Sequence, residues 1–143
     1  MIILNKELFE KIVKQCEKEL PYEACGILAG PPSCIGQNEE DSVRRVSKVY
    51  EMANADKSSA TFFMDPKEQL KVMKEIRNNG LEMLGIYHSH VASEAYPSSH
   101  DIELSFYPEV SYVIVSLRDR HNPSMRSFKI KDGKIAEEEV RIK

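Results

Sequence analysis

The stretch GIYHSHVASEAYPSSHD, residues 85–101, places His88 and His90 one residue apart at the end of an apolar run. On an extended strand, side chains two apart share a face, so both imidazoles point the same way and can reach one metal ion. That is half of a metal site. A third ligand has to come from a carboxylate, histidine or cysteine; Asp101, at the start of an expected helix, ranks first, with His100 and Cys25 as rivals. Two imidazoles and a carboxylate suit Zn2+, and three protein ligands leave the fourth position to water, which is the catalytic arrangement. Such chemistry also needs a base for the water's proton and a donor for the oxyanion that forms on the attacked carbonyl. Glu23 and Ser98 are the candidates for those two roles.

Each of these residues has an ordinary reading as well. A His-x-His pair can be two polar residues on an exposed strand face. Ser98-Ser99-His100-Asp101 is a helix-capping pattern, with serine as N-cap and an acidic residue three positions later. A glutamate after a helix is usually solvated, and Cys25 reads as a small buried hydrophobe.

The elements that must carry these side chains follow from periodicity. Asn5 caps a helix over 6–19 whose stripe is Leu8, Phe9, Ile12, Val13, Cys16 and Leu20, and Pro21 stops it. The run 24–29 reads as a buried strand with Glu23 at its entrance, and 31–41 as a loop. Strands are expected over Val43 to Tyr50 and Thr61 to Met64. Asp65-Pro66 opens a helix over 66–79 that ends at Asn79-Gly80. Then come 81–88, a polar loop, a short helix from about Ser98 to Tyr107, a strand over 111–117, and two strands joined at Asp132-Gly133, a type I′ hairpin signal. The order gives a mixed α/β class, a central mixed sheet flanked by helices.

Composition narrows the function. A chain of 143 residues, 41% hydrophobic and 30% charged, is the size of one domain, 1–143, and has no internal repeat. A net charge of −3 argues against a nucleic-acid surface. The N-terminal apolar run is too short for a signal-peptide core and no segment approaches a membrane span, so no membrane partner and a cytoplasmic location are expected. Cys16, Cys25 and Cys34 match neither a disulfide framework nor a CxxC zinc motif and read as reduced thiols.

Taken together, Glu23 and the spacing H-S-H-x7-S-x2-D from His88 to Asp101 closely resemble the signature of the JAMM (MPN+) zinc metalloproteases. The segments EACGILAG, FFMDPKEQL, GIYHSH and YVIVSL extend the likeness from about residue 2 to 130. The resemblance implies a cytidine-deaminase-like MPN fold, a curved mixed β-sheet between a long N-terminal helix and the helix at 66–79. It implies one zinc per chain on His88, His90 and Asp101, with Glu23 holding and deprotonating the water and Ser98 bonding the oxyanion. Val91 departs from the pattern, since many members have proline there, and an altered loop shape is the expected consequence.

The resemblance also implies a substrate, a ubiquitin-like protein cut after its C-terminal Gly-Gly. The short chain resembles the single-domain prokaryotic branch that processes sulfur-carrier proteins and releases cysteine, homocysteine or a short extension. A narrow groove would admit two glycines and reject bulkier residues, and an extended tail could add to a sheet edge near the loop 91–98. The alternatives are an isopeptidase that removes ubiquitin-like modifiers from lysines, and a metal-free MPN scaffold, which would be expected to lack a ligand. The sequence leaves a homodimer open.

Overall fold

The structure is a computed structural model that describes residues 1–32 and 42–143. Cys34 and most of the loop expected over 31–41 lie outside the described residues. The elements are β1 (Ile2–Leu4), α1 (Lys6–Lys18), β2 (Cys25–Gly30), β3 (Arg44–Arg45), β4 (Lys48–Met52), α2 (Pro66–Asn78), β5 (Glu82–His90), α3 (Ser99–Glu103), β6 (Ser111–Ser116), β7 (Ser124–Lys131), β8 (Lys134–Glu138) and β9 (Val140–Ile142).

Local chemistry sets the ends of the helices. The Asn5 side chain accepts the Leu8 amide at 2.8 Å and opens α1. Asp65 does the same for the Lys67 amide at 2.8 Å, with Pro66 as the first residue of α2, where its missing N–H costs nothing. Asp132 and Gly133 have φ of 52° and 74°, the left-handed pair that a type I′ hairpin between β7 and β8 requires.

Six strands form one sheet in the order β4-β2-β5-β6-β7-β8, with β5 and β6 parallel and every other pair antiparallel. A second, parallel sheet has the order β3-β1-β9. The sheet of six separates two apolar layers. On one side Ile12 and Cys16 of α1 meet Leu28, Leu84, Tyr87, Val113 and Val115; on the other Ile76 of α2 meets Ile27, Ile86, Tyr112, Ile114 and Phe128. This is the α/β architecture expected, with helices flanking a mixed sheet.

Two local features aim the strand that ends in the histidines. The β2–β5 register shifts between Leu28 and Ala29, opposite Leu84, so Leu84 and Ile86 face opposite layers although they are two apart. Beyond the shift the alternation is regular: Tyr87 faces α1, and Ile86, His88 and His90 share the α2 side. Tyr87 also crosses Gly26, its registered partner, where an added Cβ would overlap the ring. Its hydroxyl donates to Gln15 Oε1 at 2.6 Å, and Gln15 Nε2 donates to the Cys25 carbonyl at 3.0 Å.

Three expectations are corrected. Val43 to Tyr50 is two strands, because the chain changes sheets between them: the Val46 amide bonds the Ile3 carbonyl at 2.8 Å and the Ser47 amide bonds Ala29 at 2.9 Å. Thr61 to Met64 joins no sheet: Asn54 holds the Thr61 carbonyl and the Phe63 amide, and the Ala55 amide bonds the Phe63 carbonyl at 2.8 Å. The short helix expected to reach Tyr107 is Ser99–Glu103, closed by Leu104; Ile2–Leu4 and Val140–Ile142, too short to show a period, are strands of the small sheet. No described helix is long and apolar enough to cross a membrane.

Candidate active site

The end of β5 brings His88 Nε2 and His90 Nε2 to 3.1 Å of each other. Asp101 Oδ2 lies 3.2 Å from the first and 3.1 Å from the second, so three atoms make a nearly equilateral triangle. All three residues are buried, at 3%, 7% and 9% exposure. His90 Nδ1 stands 2.8 Å from the Glu94 carbonyl, which can only accept; a proton therefore sits on Nδ1, and in the neutral ring the Nε2 lone pair faces the triangle. Phe62 stacks on the His88 ring at 4.5 Å between centroids and shuts one side from water.

Asp101 gets its position from α3. Ser98 is the N-cap: its Oγ accepts the Asp101 amide at 3.1 Å, and Asp101 Oδ2 accepts the Ser98 amide at 2.9 Å, a full capping box. The helix-start reading and the site reading therefore coexist, through one carboxylate oxygen. Burial raises the Asp101 carboxyl, but hydrogen bonding to His88 and His90 outweighs it and holds the group well below the usual range. Burial also favours a neutral His88.

Glu23 stands at the entrance to β2, beside this triangle. Its ligand oxygen and the two imidazole nitrogens all lie within 4.8 Å of one another. Glu23 is 2% exposed, and its Oε1 has no hydrogen-bond partner. Burial pushes its carboxyl up to about 8, His90 pulls it down and Asp101 raises it further. An isolated buried carboxylate beside a triangle of lone pairs costs stability unless something else enters the site.

The triangle itself answers what could enter. With both imidazoles neutral and their protons on Nδ1, all three atoms are acceptors, and a cation at their centre satisfies each. Tetrahedral zinc, with donors at about 2.0–2.2 Å, implies donor–donor edges of about 3.3–3.6 Å, a little longer than the 3.1–3.2 Å found. Two donor sets overlap here, Glu23-His88-His90 and His88-His90-Asp101. The second is the tighter and leaves Glu23 Oε1 free, so it fits a small cation with a carboxylate at its side.

The rivals are not brought in. The Cys25 Sγ turns to the Met52 and Ala53 carbonyls, 3.7 Å from each, and burial pushes the thiol up to about 12. His100 is half-buried and joins none of these contacts. Ser98 is exposed; its Oγ accepts from Asp101 and, among the described residues, donates to no protein group.

The loop 91–98 is tied down by Ser116 Oγ, which donates to the Ser93 carbonyl at 2.6 Å, and by Tyr96, edge-on to Phe128 at 5.5 Å. Sequence reasoning missed Phe62, taken for a strand residue, and Asn54, passed over as loop. Asn54 holds the Asp56 amide at 3.0 Å in an Asx-turn, a pattern that N-A-D in the sequence could have signalled.

Residues 5–131 match the model of prokaryotic homologs of the JAB domain. The chain is 36% identical over 142 residues to the CysO-cysteine peptidase of Mycobacterium tuberculosis, covering 99% of this chain and 91% of that protein. A solution structure of a Desulfitobacterium hafniense protein superposes with TM-score 0.87 at 41% identity, over 100% of this chain and 93% of that one. A JAB1/MPN domain protein from Archaeoglobus fulgidus shares the fold, with TM-score 0.59 at 20% identity over 99% and 98% of the two chains. With its family model matched across both histidines and Asp101, this chain belongs to the prokaryotic JAB-domain family.

Proposed function

We propose that the chain is a zinc-dependent hydrolase that cuts the amide bond after the C-terminal Gly-Gly of a ubiquitin-like sulfur-carrier protein in the cytoplasm. The observation that supports it most is the partnerless Glu23 carboxylate beside the triangle of His88, His90 and Asp101. His88, His90 and Asp101 hold one zinc per chain. The ion, when bound, lowers the pKa of a water and polarises the scissile carbonyl. Glu23 takes the proton from the attacking water and hands it to the leaving amine nitrogen. The Ser98 hydroxyl donates to the carbonyl oxygen as negative charge develops there.

The substrate class rests on the relative named CysO-cysteine peptidase, whose name places cysteine after the carrier. The tail cannot join a sheet edge at the loop 91–98, because that loop follows an interior strand. Among the described residues the outer strand on the Glu23 side is β4, whose Met52 pairs with Cys25, and we take its edge as the one an extended tail joins.

The test is direct. Glu23→Ala keeps about one zinc per chain by elemental analysis and loses hydrolysis of a carrier–cysteine conjugate by about 10²–10⁴-fold; full activity in this variant, or in metal-stripped protein, overturns the mechanism. A carrier joined to lysine, assayed beside the cysteine conjugate, separates sulfur-carrier processing from isopeptidase action. The better substrate by kcat/KM decides between them.

A further inference from the structure

Because Glu23 Oε1 has no partner, hydrogen bonding at that oxygen does not fix where the carboxylate points, and its placement has to come from the backbone. That backbone is bonded on both sides. The Glu23 amide donates to the Ser58 carbonyl at 2.8 Å, and the Glu23 carbonyl accepts from Asn54 Nδ2 at 3.0 Å. Asn54 Nδ2 also donates to the Thr61 carbonyl at 3.0 Å, while its Oδ1 accepts the amides of Asp56 at 3.0 Å and Phe63 at 3.1 Å.

A side-chain amide has two donor hydrogens and two acceptor lone pairs, and here all four are used. Flipping the amide would put donors against donors, so its orientation is fixed. The segment 54–63 thus wraps around a single side chain, and it delivers two things to the site: the Ser58 carbonyl to the Glu23 amide, and Phe62 to the face of His88.

We propose that Asn54 is a positioning residue, which sets the Glu23 carboxylate against the His88–His90–Asp101 triangle while touching none of those three side chains. The inference rests on Glu23 being the proton carrier. Ser89 pins the same backbone from the other layer, its Oγ accepting the Ala24 amide at 2.8 Å and its own amide bonding the Ala24 carbonyl at 3.0 Å. It lies between the two histidines, so replacing it would disturb the triangle as well; Asn54 can be changed without that.

Asn54→Asp keeps the size and the acceptor oxygens but removes both donors and turns a carboxylate oxygen on the Glu23 and Thr61 carbonyls. In the full zinc-loaded chain, at a temperature where circular dichroism shows it folded, kcat on the carrier conjugate falls about 10–100-fold, the loss expected of a misplacement near 1 Å. KM stays within about twofold and zinc per chain is unchanged. In the Glu23→Ala background the same substitution produces no further loss, because the two act through one group. Should Asn54→Asp fold poorly, Asn54→Ala at low temperature, normalised to folded zinc-loaded chain, takes its place. A wild-type kcat per folded chain, or a full additional loss on top of Glu23→Ala, overturns the role of Asn54. Full activity of Glu23→Ala alone would instead overturn the proton-carrier reading on which it rests.

Discussion

Two glutamates taken out of water by the same sheet have opposite surroundings. Glu138, at the end of β8 with 11% side-chain exposure, accepts from Ser127 Oγ at 2.7 Å and from Ser111 Oγ, and Arg44 Nη1 lies 3.7 Å away. Glu23 is more deeply buried and has an oxygen with no partner. Burial raises both carboxyls. At Glu138 the two serine hydroxyls outweigh it and hold the group below the ordinary range, whereas Glu23 is left near 8. Burial therefore does not decide what a carboxylate is for; its partners do. One is committed to joining β6, β7 and β8, and the other keeps an oxygen that no group engages.

The largest structural effect belongs to Glu138. Glu138→Ala leaves the Ser111 and Ser127 hydroxyls without their acceptor, and Arg44 and the Met1 ammonium without their counter-charge, and should cost about 2–4 kcal/mol of unfolding free energy in urea, with kcat per folded chain unchanged. If activity fell while stability held, the division of labour between the two glutamates would be wrong.

Protonation separates the pair next. In metal-stripped protein the folded-state value for Glu23 is about 8 against an ordinary 4.5, so between those values the folded state binds the extra proton. Its contribution to stability is full below about pH 4.5 and is lost as pH rises towards 8. Glu138 is lowered, and the sign reverses: its contribution is present above its unfolded value of 4.5 and is lost as pH falls through its lower folded value. Urea midpoints of Glu23→Gln should therefore diverge from the parent as pH rises above 4.5, whereas those of Glu138→Gln, set apart from the parent above 4.5, should converge on it as pH falls below that value. Identical pH profiles for parent and Glu23→Gln would contradict the raised value.

The smallest effect sharpens the contrast on a single strand. Glu137 precedes Glu138 and holds Arg126 with two bonds of 2.8 Å, yet its side chain is 50% exposed. Solvent screens such a pair, and Glu137→Ala should leave the urea midpoint where it was. A loss as large as that of Glu138→Ala would mean that exposure is not what distinguishes them.

What the sequence discloses here depends on whether a pattern is local. The geometry of His88 and His90 is legible because a strand repeats every two residues, and the capping box because its four positions are consecutive. Glu23 is legible only through its company with a far motif, at the entrance to a strand, since no local periodicity separates it from a solvated glutamate. The register shift opposite Leu84 leaves no mark in the run LEMLGIYH, yet it decides which layer Ile86 and the histidines face. Asn54 and Phe62 were hidden for a related reason. Their segment has no period at all, being organised around one side chain whose four bonds reach Asp56, Thr61 and Phe63 after it in the chain and Glu23 far before it.

Gly26, Tyr87 and Gln15 impose a constraint of another kind, on how such a sequence can change. A side chain at 26 has no room while the Tyr87 ring lies across it, and Gln15 loses the donor to its Oε1 if that hydroxyl goes. No one of the three can be exchanged alone without leaving an overlap, a void or an unmet polar group behind the site. The layer under β2 and β5 therefore drifts as a unit or stays fixed, so the wall behind the histidines admits fewer viable neighbours in sequence space than the burial of its individual residues would imply.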